Sequence, residues 1–268
     1  MRNLIAGFKI FIFLLNCIWV IPAQSLMLFI TKGHGKAAYI LPKIWHAIVS
    51  FIFGIKITWV GSPDNTQQTV FISNHISYLD IPALGGKILA SFVAKSEVAG
   101  WGGFGYLSTL QQTAFLNRQR SAVKKEAGNL QTMLEDGKSL IIFAEATSTD
   151  GTQVELFKSS LFSLFYDGGF GHIQIQPVSI RLDTINRQNP QNYDERIIYA
   201  WPRELDMEMP EHLWRFAKSK GSRLTITFHE PVQAKDHENR KTLAKTCHYI
   251  VSKGIEKNAS LTPKRGMR

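Results

Sequence analysis

The chain has 268 residues, 44% of them hydrophobic and 19% charged, with a formal net charge of +10. That apolar share excludes a disordered chain and suits one sizeable α/β domain with an appendage. The two cysteines, Cys17 and Cys247, exclude a disulfide framework and a cysteine metal set and fit a reduced, cytoplasm-facing protein, while the positive balance points to a nucleic acid, an anionic membrane or an acidic partner.

The distribution of charge decides among these partners. No Asp or Glu precedes Asp64, whereas Arg2, Lys9, Lys32, Lys36, Lys43 and Lys56 all lie in that stretch, which is also the most apolar of the chain. Basic residues among long apolar runs suit the interface of an anionic leaflet and do not suit a nucleic-acid surface. Membrane lipids are therefore the expected partner, and nucleic acid is not. The run from Ile10 to Ile21 resembles a signal peptide, with Ala23-Gln24-Ser25 as a cleavage site, but Leu26 to Ile30 continues it, which favours a retained anchor. A second apolar stretch runs from Ala37 to Ile55, after a Gly33-His34-Gly35 turn. A full span, an amphipathic hairpin in one leaflet and a pair of buried core helices all remain open. The expected division is membrane-anchoring helices over 1–55, a catalytic domain over 56–260 and a basic tail over 261–268.

Beyond Lys56 the pattern changes. Strands are expected at Ile57–Val60, Thr69–Ile72, Ser91–Ala94, Thr113–Leu116, Leu140–Phe143, Ile173–Leu182 and Leu224–Phe228. Helices are expected over Tyr78–Gly85, over Ser121–Asp136 with Ala127, Leu130 and Leu134 on one face and Gly137 as stop, and over Lys241–Gly254. Gly100 to Gly105 reads as a flexible loop. Strands alternating with helices define an α/β domain with a largely buried sheet.

The strand Thr69–Ile72 delivers Asn74-His75-Ile76-Ser77-Tyr78-Leu79-Asp80. Five residues rotate a helix by about 500°, so His75 and Asp80 do not share a helix face. They meet if His75 precedes the helix and Asp80 lies in its first turns, with Ser73-Asn74 available as caps. The pair then supplies a base that titrates near neutral pH and a carboxylate that orients it. The spacing alone equally describes a capping cluster with a surface Asp.

Gly137-Lys138-Ser139 lacks the first glycine of a phosphate loop, because position 132 is Thr, and it precedes a strand, so it reads as a helix-ending turn. No Gly-x-Ser-x-Gly elbow is present. His172, His212, His229 and His248 show no metal-ligand spacing and read as ordinary surface or core residues; no metal is expected. Trp201, Trp214 and Phe216 read as core.

The motif around His75 resembles the first motif of the glycerolipid acyltransferases, the family that includes the 1-acyl-glycerol-3-phosphate acyltransferases. Three further stretches follow in the family's order. Ala114-Phe115-Leu116-Asn117-Arg118 resembles the second motif, Phe143-Ala144-Glu145-Ala146-Thr147-Ser148-Thr149 the third, and Ile175-Gln176-Pro177-Val178 the fourth, with Phe157-Lys158 resembling the Phe-Lys after the third. The resemblance spans roughly residues 70 to 180 and implies a glycerol-3-phosphate acyltransferase-like mixed sheet flanked by helices, with an N-terminal membrane-associated hairpin. It implies that His75 and Asp80 are catalytic, and that Arg118, Glu145, Ala146, Thr147, Lys95 and Lys158 bind substrate.

Three departures stand out. Ala144 replaces the family's usual Pro and Ala146 its usual Gly, while Ser148 stands where many members have Arg. In the family that Arg and the Arg of the second motif hold the acceptor phosphate, and Ser cannot form a bidentate clamp on phosphate. Head-group recognition then rests on Arg118, with Lys95 or Lys158, or the head group differs. The stretches Glu145–Ser160 and Ala94–Trp101 resemble a branch that contains lyso-ornithine lipid acyltransferases as well as phosphatidate-forming enzymes.

The resemblance implies direct transfer from an acyl thioester, carried by coenzyme A or acyl carrier protein, to a lysolipid hydroxyl, without an acyl-enzyme or a cofactor. The expected acceptor is 1-acyl-sn-glycerol-3-phosphate, with lyso-ornithine lipid as the alternative. The expected location is the inner membrane with the catalytic domain facing the cytoplasm. A lipid-binding protein without activity is the rival of another class.

Overall fold

The computed structural model describes residues 1–116 and 123–256, with the side chains of 123–128 outside the description. Helix α1 (Arg2–Thr31) and helix α2 (Ile40–Phe53) form an antiparallel pair joined through Gly33 and a 3-10 turn at Lys36–Tyr39. Strands β1 (Ile55–Val60) and β2 (Thr69–Ser73), helix α3 (Asp80–Gly85), strand β3 (Ser91–Lys95) and helix α4 (Gly103–Leu110) follow. Strand β4 (Ala114–Leu116), helix α5 (Val123–Glu135) and strand β5 (Leu140–Phe143) come next. The chain closes with β6 (Gln174–Ile185), α6 (Tyr193–Arg196), α7 (Met209–Ala217), β7 (Ser222–Phe228) and α8 (Arg240–Ile255).

The seven strands form one mixed sheet in the order β1-β7-β6-β2-β5-β3-β4. Every neighbouring pair is parallel except β6 with β7. All five residues of β2 are buried, as expected of a central strand covered on both faces. One core cluster fills the face under α1, α2 and α7, joining Phe13, Val49 and Phe53 to Phe71, Ile141, Ile180 and Phe216. The other fills the face under α8, joining Val70, Ile72 and Ile142 to Leu130, Leu134, Phe162 and Leu243.

The N-terminal pair is part of this fold. Along α1 the buried positions are Ala6, Phe13, Asn16, Val20 and Gln24, a stripe at helical spacing. Near one end Lys9 Nζ donates to Ser219 O at 3.1 Å; near the other Gln24 Nε2 donates to Ala38 O and Leu110 O at 2.9 and 3.1 Å. The helix therefore lies along the domain. The opposite face carries exposed Leu4, Phe8, Phe11, Ile18, Phe29 and Ile30. A pair of wholly buried core helices does not describe this face, and α1 is long and apolar enough to cross a membrane. The expected boundary at 55/56 falls within β1, one residue past its start, and does not separate two cores. Gly54 ends α2 in the left-handed region (φ 73°) and packs on the Gly221 backbone so closely that a Cβ on Gly221 would strike Gly54 O.

Three expectations need correction. Gly100 to Gly105 is not a loop throughout: α4 begins at Gly103 and buries Leu110, and Gly105 lies so close to Ala99 O that no side chain fits. Helix α7 went unforeseen. Trp214 on it is 38% exposed, whereas Phe216 is core. Gly137 closes α5 at φ 73°, with Gly137 N and Lys138 N donating to Leu134 O and Met133 O, as a helix-ending turn requires. Leu130 and Leu134 face the core; Ala127 lies among the undescribed side chains. Residues 257–268, including the expected tail, lie outside the described residues.

Candidate active site

The carboxyl ends of β2 and β5 meet in register, Ser73 opposite Phe143, in the central part of the sheet. Crevices at the carboxyl ends of parallel strands are where open α/β sheets place their sites. The expected capping role of Ser73-Asn74 is replaced by another. Asn74, 1% exposed, donates through Nδ2 to Ile180 O at 2.9 Å and accepts from Ile180 N at 2.7 Å. Its side-chain amide thus continues the pairing of β2 with β6 after the backbone has turned away. That turn presents His75.

Asp80 opens α3 after a tight turn in which Asp80 N donates to Ser77 O at 2.9 Å. His75 Nδ1 lies 2.9 Å from Asp80 Oδ2. The same oxygen accepts from Ile76 N at 2.7 Å and Ser77 N at 3.0 Å. Oδ1 accepts from Tyr199 Oη at 2.8 Å. Two backbone amides and the Tyr199 hydroxyl all donate to this fully buried carboxyl, so it is the acceptor in this network. Because Oδ2 accepts, Nδ1 carries the proton and Nε2 keeps its lone pair. Nε2 has no hydrogen-bond partner among the described residues, and the His75 side chain is 20% exposed. The ring stacks on Phe143 at 3.9 Å, 19° from parallel.

The His75 backbone is held from both sides by the third motif. Its N–H donates to Glu145 Oε1 at 2.6 Å, and its carbonyl accepts from Thr149 N at 3.0 Å. Glu145 Oε2 accepts from Glu155 N at 2.7 Å. Glu145 is 1% exposed, with both oxygens taken by backbone amides, and so ties the two loops together. Burial pushes its carboxyl up to about 8, against the opposing pull of the two amides. Ala146 adopts φ 59°, a left-handed conformation that a glycine would adopt without the Cβ cost. Ser148 donates to the carbonyl of Trp201 and so points into the fold. Thr147 is half-buried. Lys158 is exposed, with its backbone N–H on Ala144 O at 2.9 Å. Lys95 is exposed at the end of β3, in register with Leu116. Arg118 lies outside the described residues.

Sequence reasoning missed two residues. Tyr199, fully buried, reaches Asp80 from 119 positions away. His212, also fully buried, donates through Nε2 to Ile197 O and Ala200 O at 3.1 and 3.0 Å and accepts from Tyr78 Oη at 2.9 Å through Nδ1. Burial lowers it to about 4, so it is neutral and its tautomer is fixed by the two carbonyls. No sequence spacing announces either contact.

Beside the His75–Asp80 turn lies a half-open cavity of about 120 Å³, between the N-terminal helices and α3, α4 and α7. Phe13, Trp45, Leu79, Phe104, Leu107 and Leu213 line it, so its wall is almost wholly apolar.

A buried Asp thus aligns an imidazole at the carboxyl end of a central parallel strand, beside an almost wholly apolar cavity. Residues 58–181 match the protein family described as Acyltransferase. The chain is 32% identical to a lyso-ornithine lipid O-acyltransferase of Brucella abortus (strain 2308), over 85% of each. It is 27% identical to a 1-acyl-sn-glycerol-3-phosphate acyltransferase of Neisseria gonorrhoeae, over 79% of this chain and 78% of that one. The crystal structure of the 1-acyl-sn-glycerophosphate acyltransferase PlsC from Thermotoga maritima shares the fold, with a TM-score of 0.66 at 20% identity over 95% of this chain and 96% of that one. The chain belongs to the acyltransferase family, among the enzymes of the lysolipid O-acyltransferase type.

Proposed function

We propose that this enzyme transfers a fatty acyl group from an acyl thioester to the free hydroxyl of a lyso-ornithine-type lipid at a membrane surface. The observation that carries the reading is the His75 Nδ1–Asp80 Oδ2 contact, which leaves Nε2 as a base on the exposed side of the ring. Nε2 takes the proton of the lysolipid hydroxyl as the oxygen attacks the thioester carbonyl. The C–S bond then breaks, and the departing thiolate of coenzyme A or acyl carrier protein takes the proton back from the imidazolium. Asp80 stabilises that imidazolium without taking its proton. No protein nucleophile enters this sequence. The apolar cavity beside Leu79 offers room for part of an acyl chain.

The head group is argued from Ser148. Its hydroxyl is spent on the Trp201 carbonyl, and it supplies no cation where phosphate-binding relatives carry Arg. The Brucella relative, at 32% identity, is named a lyso-ornithine lipid O-acyltransferase; the Neisseria relative, at 27%, is named a 1-acyl-sn-glycerol-3-phosphate acyltransferase. The acceptor 1-acyl-sn-glycerol-3-phosphate is the second reading, favoured by the Arg118 that the second motif retains. Membrane contact is through the exposed apolar face of α1, with Arg2, Lys32 and Lys36 against anionic head groups at an inner membrane and the catalytic domain on the cytoplasmic side.

The test is a panel of lysolipids incubated with purified enzyme and labelled acyl thioesters, with His75→Ala as control. Ester formed on lyso-ornithine lipid supports the reading. Turnover on lysophosphatidate alone replaces the head group, and no ester on any lysolipid ends the proposal.

A further inference from the structure

We propose that Tyr199 is a positioning residue for the transfer, holding the Asp80 carboxylate turned so that Oδ2 faces the His75 imidazole. The inference rests on the His75 general-base reading above and adds to it a residue outside all four motifs.

The geometry argues it directly. Three donors, His75 Nδ1, Ile76 N and Ser77 N, converge on Oδ2. They fix one oxygen. The terminal torsion of an Asp is broad and nearly two-fold, so fixing one oxygen leaves the carboxyl plane to be set by the other. Among the described residues Oδ1 has one donor, Tyr199 Oη at 2.8 Å. Both side chains are fully buried, so water does not replace that bond. Burial, and then the adjacent Asp80, raise the phenol well above its ordinary value, so it remains a donor across the working range of pH.

The phenol is itself clamped. Its ring meets Phe216 edge-on at 5.7 Å and 78°. The surrounding turn is tied by His212 to the carbonyls of Ile197 and Ala200. Trp201 N donates to Ile76 O at 2.9 Å, so the turn that carries Tyr199 is bonded directly to the turn that carries His75. His212 also accepts from Tyr78, on the same catalytic turn. The segment 197–201 thus straps the His75–Asp80 turn, with Tyr199 as its contact to the carboxylate. The proton of the phenol stays where it is; the residue acts through Asp80.

The donor also sets electron density. An O–H on Oδ1 draws charge from Oδ2; its loss leaves Oδ2 a stronger partner for the imidazolium. In full-length enzyme in detergent or nanodiscs, Tyr199→Phe is expected to lower kcat about ten-fold, equivalent to about 1.4 kcal/mol. KM for both substrates stays within about two-fold, and the acidic limb of the pH profile of kcat/KM moves to higher pH. Fluorotyrosine at position 199, a stronger donor of the same shape, moves that limb to lower pH and serves if the Phe variant folds poorly. In an Asp80→Asn background, Tyr199→Phe changes the residual rate by less than about two-fold, because its partner is already altered. Val251→Ala, a core change on α8, serves as a stability control and keeps kcat. Tyr199→Phe turning over like wild type while His75→Ala is inactive overturns the inference and leaves the general-base reading intact. An equal ten-fold loss in the Asp80→Asn background overturns it too, as would immobility of the acidic limb in both variants. Wild-type turnover by His75→Ala instead overturns the reading on which it rests.

Discussion

Glu145 and His75 are joined through the backbone: the His75 N–H donates to Glu145 Oε1 at 2.6 Å while Glu145 Oε2 takes the Glu155 N–H. The carboxyl binds two loops together beneath the imidazole. Its position is raised from 4.5 to about 8 by burial, so the folded state holds the proton more tightly than the unfolded chain. Its contribution to stability is then largest below about pH 4.5 and is lost as pH rises toward 8. Glu145→Gln removes the titration, so the fall in unfolding free energy between pH 5 and 8 should be shallower in the variant. Denaturant titrations at both pH values check this; equal slopes would refute the linkage.

Asn74 carries the sheet one step past its strand. Removing its side chain leaves Ile180 N and O without their partners in a buried position. Asn74→Ala should cost about 1–3 kcal/mol of stability and lower kcat by displacing His75. Denaturant unfolding and steady-state rates measured together check both.

Ala146 holds a left-handed conformation at φ 59°. Ala146→Gly relieves the Cβ clash and should stabilise the protein by about 1 kcal/mol. A rise in melting temperature is the expected result.

The exposed face of α1 can be tested without touching the core. Phe8, Phe11 and Phe29 are 65%, 56% and 82% exposed. Replacing all three with Ser should sharply reduce sedimentation with anionic vesicles and leave the melting temperature nearly unchanged. Deleting residues 1–55 is a poorer test, because Phe13, Val49 and Phe53 belong to the domain core. Undiminished sedimentation of the triple variant would refute the membrane role of this face.

Much of the fold was legible in the sequence. Apolar runs such as Thr69–Ile72 and Leu140–Phe143 announce buried strands, and β2 and β5 occupy those places. The order of strands was not legible, because nothing local says that β6 and β7 run antiparallel while their neighbours run parallel. Four glycines between positions 100 and 105 suggested a loop where α4 packs, since the sequence does not reveal that Gly105 touches Ala99 O. Helix α7 did leave a signal: Met209, Leu213, Phe216 and Ala217 recur at helical spacing, with Pro210 in the first turn, and all four are buried. The His75–Asp80 spacing was readable, yet the Tyr199 and His212 contacts were not, because they depend on segments brought together across more than a hundred residues. Glu145 was visible as a motif residue, but its bonds to the amides of His75 and Glu155 were not, because they depend on how two loops meet in the fold.

The most direct test of the account is the rate of purified His75→Ala with a saturating acyl thioester and lysolipid. Loss of a general base predicts a fall in kcat of about 10²–10⁴-fold, with the folded structure and vesicle binding retained. A folded His75→Ala enzyme that turns over within ten-fold of wild type would contradict it.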